Sequence, residues 1–123
     1  MPPQVFFITG TSTGFGYELV KKCLAEGDKV VATARNSSKL HFDGAAEDKF
    51  LAVDCDVTDQ KSIDEAFEKA LAKFGRIDVV VNNAGYGLSG EFESLSDKQI
   101  RTQFEVNYFG LLNVTREALK VMR

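Results

Sequence analysis

The chain has 123 residues, of which 44% are hydrophobic and 27% charged, with a formal net charge of −3. This is the composition of one soluble globular domain, neither disordered nor equipped with the basic stripe that nucleic-acid binding needs. No basic leader precedes Val5-Phe6-Phe7-Ile8 and no apolar run approaches the ~18 residues of a membrane span, so a cytoplasmic protein with no membrane and no nucleic-acid partner is expected.

In chain order, Val5–Thr9 is predicted as a buried strand. Gly16–Glu26 follows as a helix with apolar Leu19, Val20, Cys23 and Leu24, and Gly27 stands where a C-terminal glycine belongs. Lys29–Ala34 is the second strand. Arg35–Lys49 is a polar loop with room for a short helical turn, and Phe50–Val53 is the third strand. Asp59–Phe74 is an amphipathic helix whose apolar positions Ile63, Ala66, Phe67, Ala70, Leu71 and Phe74 recur at three and four, and Gly75 ends it. Ile77–Val81 is a solid apolar run, the pattern of a strand buried on both faces of a parallel sheet. A glycine-rich loop, Gly85–Gly90, leads to a helical region from about Ser96 to the end, with Ser96 and Gln99 spaced for a capping box. Alternating strands and helices without repeats or a linker predict a doubly wound parallel α/β sheet in one domain, residues 1–123.

Two cysteines, Cys23 and Cys55, lack the spacing of a disulfide framework or a metal site and read as buried reduced thiols. The single histidine, His41, has no neighbour at ligand spacing, so no metal is expected.

The functional signal begins where the first strand runs into Thr9-Gly10-Thr11-Ser12-Thr13-Gly14-Phe15-Gly16 and a helix follows at once. A strand, a tight glycine turn and a helix N-terminus present free N–H groups and a positive dipole end, a seat for a diphosphate. Gly10 permits the turn; Gly14 and Gly16 let the backbone approach the phosphates and let helix and strand pack closely. A Walker A loop is excluded, because no Gly-Lys-Ser/Thr follows. Where a dinucleotide-binding domain selective for NAD places a ribose-binding carboxylate, at the end of the second strand, stands Ala34, followed by Arg35. A guanidinium matches a phosphate bidentately, so this arrangement favours NADP(H), with Asn36, Ser37 and Ser38 available for further hydrogen bonds.

Thr9–Gly16 matches the Thr-Gly-x-x-x-Gly-x-Gly segment of the short-chain dehydrogenase/reductase family. Asp56-Val57-Thr58, Asn82-Asn83-Ala84-Gly85 and Asn107-Tyr108-Phe109-Gly110 resemble that family's later motifs, in order and at similar spacing. The resemblance implies a Rossmann-like sheet and hydride transfer between a nicotinamide and a carbonyl or secondary alcohol. It implies that Ser12, Thr13 and the backbone around Phe15 meet the phosphates and ribose, that Asp56 and Val57 contact the adenine, and that Asn83, Ala84 and Gly85 line the coenzyme cleft. Asn107 would be a catalytic residue that helps hold a proton-relay water; read without the motifs, it is an amide that caps or kinks a helix.

The family's Ser and Tyr-x-x-x-Lys belong to a fifth strand and the helix after it, beyond Arg123, so the fold is expected to be truncated after the fourth strand and the following helix. The 123 residues alone are expected to bind nucleotide without turning over. A literal Tyr17-Glu18-Leu19-Val20-Lys21 sits on the first helix, whose N-terminus would face the diphosphate, far from where a nicotinamide would project. Lys120 stands where the family often has proline. In the last helix, Ile100, Phe104, Asn107, Leu111, Val114 and Ala118 form one stripe, and Val106, Phe109 and Leu112 another. A helix apolar on two sides wants two partners, and the resemblance implies a homo-oligomer through it. Two other readings stay open: a non-catalytic nucleotide-binding or interaction protein derived from the family, and a methyltransferase-like fold, in which Asn82–Gly85 and Arg35 have no natural role. The substrate would be shaped in part by Tyr86–Phe92.

Overall fold

The computed structural model describes residues 2–88 and 90–123. Four strands, β1 (Val5–Ile8), β2 (Lys29–Ala34), β3 (Phe50–Asp54) and β4 (Val79–Val81), form one sheet in the order β3-β2-β1-β4. Every pairing is parallel, with Phe7 opposite Val31 on one side and Val80 on the other. The helices are α1 (Gly14–Ala25), α2 (Gln60–Phe74), α3 (Asp97–Phe104) and α4 (Leu111–Met122), with a π-helical turn, Glu105–Gly110, joining the last two.

Side chains alternate across the strands, so each face of the sheet has its own core. Val5, Phe7, Val31 and Val53 pack with Ile63, Phe67 and Ala70 of α2 and Val114 and Ala118 of α4. The Phe7 and Phe67 rings stack at 4.2 Å between centroids. On the other face, Ile8, Val30 and Ala32 meet Val20 and Cys23 of α1, with Phe42 closing the edge. Helices on both faces of a parallel sheet make the architecture doubly wound and Rossmann-like, and the described chain runs from β4 through α3 to α4.

The local signals act as read. Asp59 caps α2 by accepting from Lys61 N–H at 3.1 Å, and Gly75 ends it at φ 75°. Ser96 and Gln99 form a reciprocal capping box ahead of α3. Several boundaries differ by a residue or two. Helix α1 starts at Gly14 rather than Gly16, so both glycines lie in its first turn. Strand β3 runs one residue further, to Asp54. Strand β4 is shorter than the Ile77–Val81 run and only half-buried, because β1 alone pairs with it among the described residues.

The two-stripe reading of the last helix is corrected. The wide turn at Glu105–Gly110 inserts extra backbone, so residues before and after it no longer share the faces a uniform helix would give them. The face turned to the core is Val106, Gly110, Val114, Ala118 and Val121, while Phe104, Tyr108, Leu111, Leu119 and Met122 are exposed. Gly110 is needed there: a Cβ would stand 2.6 Å from Val57 Cγ2.

Candidate functional site

The chain leaves β1 toward β2 on one side and reaches β4 on the other, so the crevice at the carboxyl ends of β1 and β4 is the topological switch point where such sheets bind ligands. The glycine turn builds one wall. Gly10 has φ 67°, and a Cβ on it would lie 2.9 Å from Ala84 Cα. Gly16 is buried, and a Cβ there would be 2.2 Å from the Gly10 carbonyl oxygen and 2.6 Å from Asn83 Nδ2. Gly14, at φ 63°, faces open space. Thr13 occupies the N-cap position of α1 in an extended conformation and makes no side-chain capping bond. The amides of the first turn are therefore not covered by the side chain that usually covers them.

Three buried threonines hold the crevice in shape: Thr9 and Thr11, which lie in the glycine motif without a role assigned to them from the sequence, and Thr33 of β2. Thr9 Oγ1 accepts from both Asn83 N–H and Ala84 N–H at 2.9 Å. The Asn83 amide donates in turn to the Gly10 carbonyl at 3.0 Å. Thr11 Oγ1 donates to the Thr33 carbonyl at 3.0 Å, and Thr33 Oγ1 to the Ile8 carbonyl at 3.1 Å. For Thr9 and Thr33 a further sequence signal is a hydroxyl at or near the end of an otherwise apolar strand, where a buried polar group must find a partner.

Beyond the turn opens a cleft of about 800 Å³, in the size range of small-molecule sites. Its lining brings together Gly10, Ser12, Thr13, Gly14, Phe15, Arg35, Asp56, Val57, Asn83, Ala84 and Gly85, with Thr102 and Val106 contributed by the last helical region. Gly16 and Asn107 do not line it: Gly16 lies beneath the turn, and Asn107 borders a smaller pocket with Gln103, Phe104 and Tyr108. Phe15 is 88% exposed at the rim, so its side chain adds nothing to the core.

At the far end of the cleft Ala34 is buried and Arg35 is exposed. The amides beyond Arg35 are already engaged: Ser37 N–H donates to Asp54 Oδ1 at 2.7 Å and Ser38 N–H to Asn36 Oδ1 at 3.2 Å. The Ser37 and Ser38 amides are thus taken up within the protein. The Ser37 amide and hydroxyl beside Asp54 hold its carboxyl below the usual carboxylate range. Asp56 Oδ1 accepts from the Thr58 amide at 2.9 Å and hydroxyl at 2.6 Å, which fixes the turn that carries Val57. Cys55 also lines the cleft, but burial, with Asp56 and Asp59 nearby, pushes its thiol up to about 12. It stays protonated near neutrality and is no nucleophile.

Asn107 projects from the π-helical turn onto the loop after β4. Its Nδ2 donates to the Tyr86 carbonyl at 2.6 Å, and its Oδ1 accepts from Tyr86 N–H at 2.9 Å. The side-chain amide thus mimics a paired strand and ties the loop to the helix. Tyr17 and Lys21 face elsewhere: Tyr17 stacks on Phe42 at 4.8 Å, and neither residue lines the cleft. His41 pairs with Asp43 at 2.8 Å in solvent. Among the described residues, no helix is long and apolar enough to cross a membrane, and no group of three or more His, Cys, Asp or Glu could hold a metal ion.

A glycine turn against the head of a doubly wound parallel sheet, with such a cleft beside it, is the arrangement of Rossmann-type dinucleotide-binding folds. Residues 4–123 match the short chain dehydrogenase family, and the chain belongs to it. It is 46% identical over 116 residues to an uncharacterised oxidoreductase of Schizosaccharomyces pombe, covering 94% of this chain and 39% of that protein. A short-chain dehydrogenase from Streptomyces avermitilis superposes with TM-score 0.87 at 39% identity, over 96% of this chain and 44% of that one. The 3-ketoacyl-(acyl-carrier-protein) reductase of Brucella melitensis, solved with NADH, superposes with TM-score 0.87 at 33% identity, over 96% of this chain and 50% of that one. The chain thus spans half or less of the length of these relatives.

Proposed function

We propose that this chain binds NADP(H) in the cleft and serves hydride transfer between the nicotinamide and a carbonyl or secondary alcohol of a small molecule. The observation that carries this reading is a pair of spaces. At Gly16 there is no room for a Cβ, so helix and turn are in contact; at Gly14 the backbone is bare and open, with no side-chain cap from Thr13. That is a cradle for an anion rather than a packed turn.

The bound coenzyme would supply the hydride or accept it. The protein's residues do the rest. The first turn of α1, with Ser12, Thr13 and the backbone of Phe15, receives the diphosphate and ribose. Arg35 takes the 2′-phosphate, and buried Ala34 leaves no carboxylate at that strand end to repel it. Asp56 and Val57 flank the adenine. Asn83, Ala84 and Gly85 form the floor, held to β1 by the Thr9 hydroxyl. Asn107 fixes the Tyr86 main chain at the nicotinamide end, the place from which a relay water would be held. Reduction of a carbonyl also needs a general acid, and among the described residues no Tyr-x-x-x-Lys pair lines the cleft.

Fluorescence titration with NADPH and NADH tests the reading. Wild type should prefer NADPH, and Arg35→Ala should raise the NADPH Kd by about tenfold or more, the loss of one charge-assisted phosphate contact, while sparing NADH. Failure to bind either dinucleotide at millimolar concentration sinks it.

The exposed apolar row Phe104, Tyr108, Leu111, Leu119 and Met122 supports a homo-oligomer through the last helical region. Sedimentation should then show concentration-dependent association that Leu111→Glu abolishes; a monomer at every concentration rejects this.

A further inference from the structure

Arg35 is bracketed by strand β3. On one side Cys55 N–H donates to the Ala34 carbonyl at 2.9 Å. On the other, Ser37 N–H donates to Asp54 Oδ1 at 2.7 Å. Asp54 is the last residue of β3 and stands in register with Ala34, the last residue of β2, so its side chain reaches the first turn beyond that strand. Within the turn, Asn36 Oδ1 receives the Ser38 hydroxyl at 2.6 Å and its amide at 3.2 Å. The segment that follows Arg35 is thus tied down by its own side chains, and one tie, the carboxylate one, crosses to another strand. A carboxylate holds an N–H more strongly than a neutral oxygen does. A long guanidinium side chain gives up rotamer freedom when it grips a ligand, and a fixed main chain lowers the further ordering needed.

We propose that Asp54 is a positioning residue for coenzyme choice: by holding Ser37 N–H it fixes the Arg35–Ser38 turn so that Arg35 meets the 2′-phosphate of an NADP(H)-class dinucleotide. This rests on the reading of Arg35 given above. Two effects of the carboxylate oppose each other. The tie favours the phosphorylated coenzyme; the negative charge disfavours it, weakly, because Asp54 is exposed and solvent screens it. The tie wins on this account.

Two variants of the full chain separate the effects, read by the Kd values of NADPH, NADH, adenosine 2′,5′-bisphosphate and 5′-AMP. Asp54→Asn keeps the acceptor and removes the charge; Asp54→Ala removes both. Asp54→Ala should weaken NADPH and the bisphosphate by about fivefold and leave NADH and 5′-AMP within about twofold. Asp54→Asn should bind all four within about twofold of wild type. The proposal is overturned if Asp54→Ala binds NADPH as well as wild type or better. It is equally overturned if both coenzymes weaken in equal proportion, or if Asp54→Asn loses as much as Asp54→Ala. Arg35→Ala run alongside keeps the two levels apart. If it abolishes the NADPH preference and Asp54→Ala does not change it, only the Asp54 role fails. If Arg35→Ala leaves the preference intact, the Arg35 reading fails and takes the Asp54 role with it.

Discussion

Replacing Gly16 by alanine sets two physical effects against each other. Gly16 lies in the first turn of α1, and it is not among the glycines with positive φ. Helix propensity alone makes alanine better than glycine there by about 1 kcal/mol. Yet the new Cβ would lie 2.2 Å from the Gly10 carbonyl oxygen and 2.6 Å from Asn83 Nδ2. Ordinary van der Waals contact for carbon is about 3.5 Å, so the overlap is roughly 1 Å or more on both sides. The carbonyl belongs to the turn that bends at Gly10 and cannot swing away without moving β1. The Asn83 amide can retreat only by giving up its 3.0 Å bond to that same carbonyl. Overpacking of this kind costs about 1–3 kcal/mol, and the lost hydrogen bond about 1 kcal/mol more. Against the propensity gain, the net loss is about 1–3 kcal/mol, which for a domain of this size lowers Tm by roughly 4–12 °C. Because the helix must lift from the turn that seats the diphosphate, NADPH affinity should fall with stability. Thermal unfolding with and without NADPH measures both. Gly87→Ala is the control: a Cβ there meets nothing within 4 Å, so Tm should stay unchanged. A Gly16→Ala protein with unaltered Tm and NADPH affinity would falsify the close-contact account of the turn.

Two further perturbations probe the frame behind the site. Thr9→Val keeps the side-chain shape but leaves Ala84 N–H without its acceptor and Asn83 N–H with only the Val81 carbonyl at 3.1 Å, which should cost about 1–3 kcal/mol in urea unfolding; a loss under 0.5 kcal/mol would mean that water replaces the hydroxyl. Asp78 pins the start of β1 to the start of β4: its Oδ1 accepts from Arg76 Nε at 2.9 Å and its Oδ2 from Val5 N–H at 2.8 Å. The Arg76 bond first, then the Val5 amide, hold its carboxyl below the usual range. A carboxyl lowered on folding stabilises at pH above its unfolded value near 4, and that contribution drains away as pH falls through the lower folded value. Acid unfolding of wild type should therefore steepen below about pH 4, and Asp78→Asn should flatten that part of the curve; identical slopes refute the assignment.

How much of this was legible depends on the range of the interaction. Gly75, Asp59 and the Ser96–Gln99 box act within a few residues, so their consequences for helix ends could be read directly. The strand runs were legible for the same reason, since period and β-branching are local. Eleven of the thirteen candidate site residues line one cleft, ten of them from short motifs and Arg35 from its place after the second strand. The last helix misled, because the two-stripe reading assumes a uniform turn and Glu105–Gly110 is wider. Nothing in that stretch marks a π-helical turn except Gly110, and what makes the turn fit there is Val57, which lies on another element.

Residue order alone determined the alternation of strands and helices, the bare glycine turn and the absence of a carboxylate at the end of β2. Tertiary structure decided which of these groups face one another. The Thr9 hydroxyl joins β1 to a loop more than seventy residues away, |i−j| 74 and 75, and Asp54 reaches across to Ser37. Such pairings leave no periodic trace, because a hydrogen bond between distant segments depends on strand order and register, and those are set only when the whole sheet closes around its two cores.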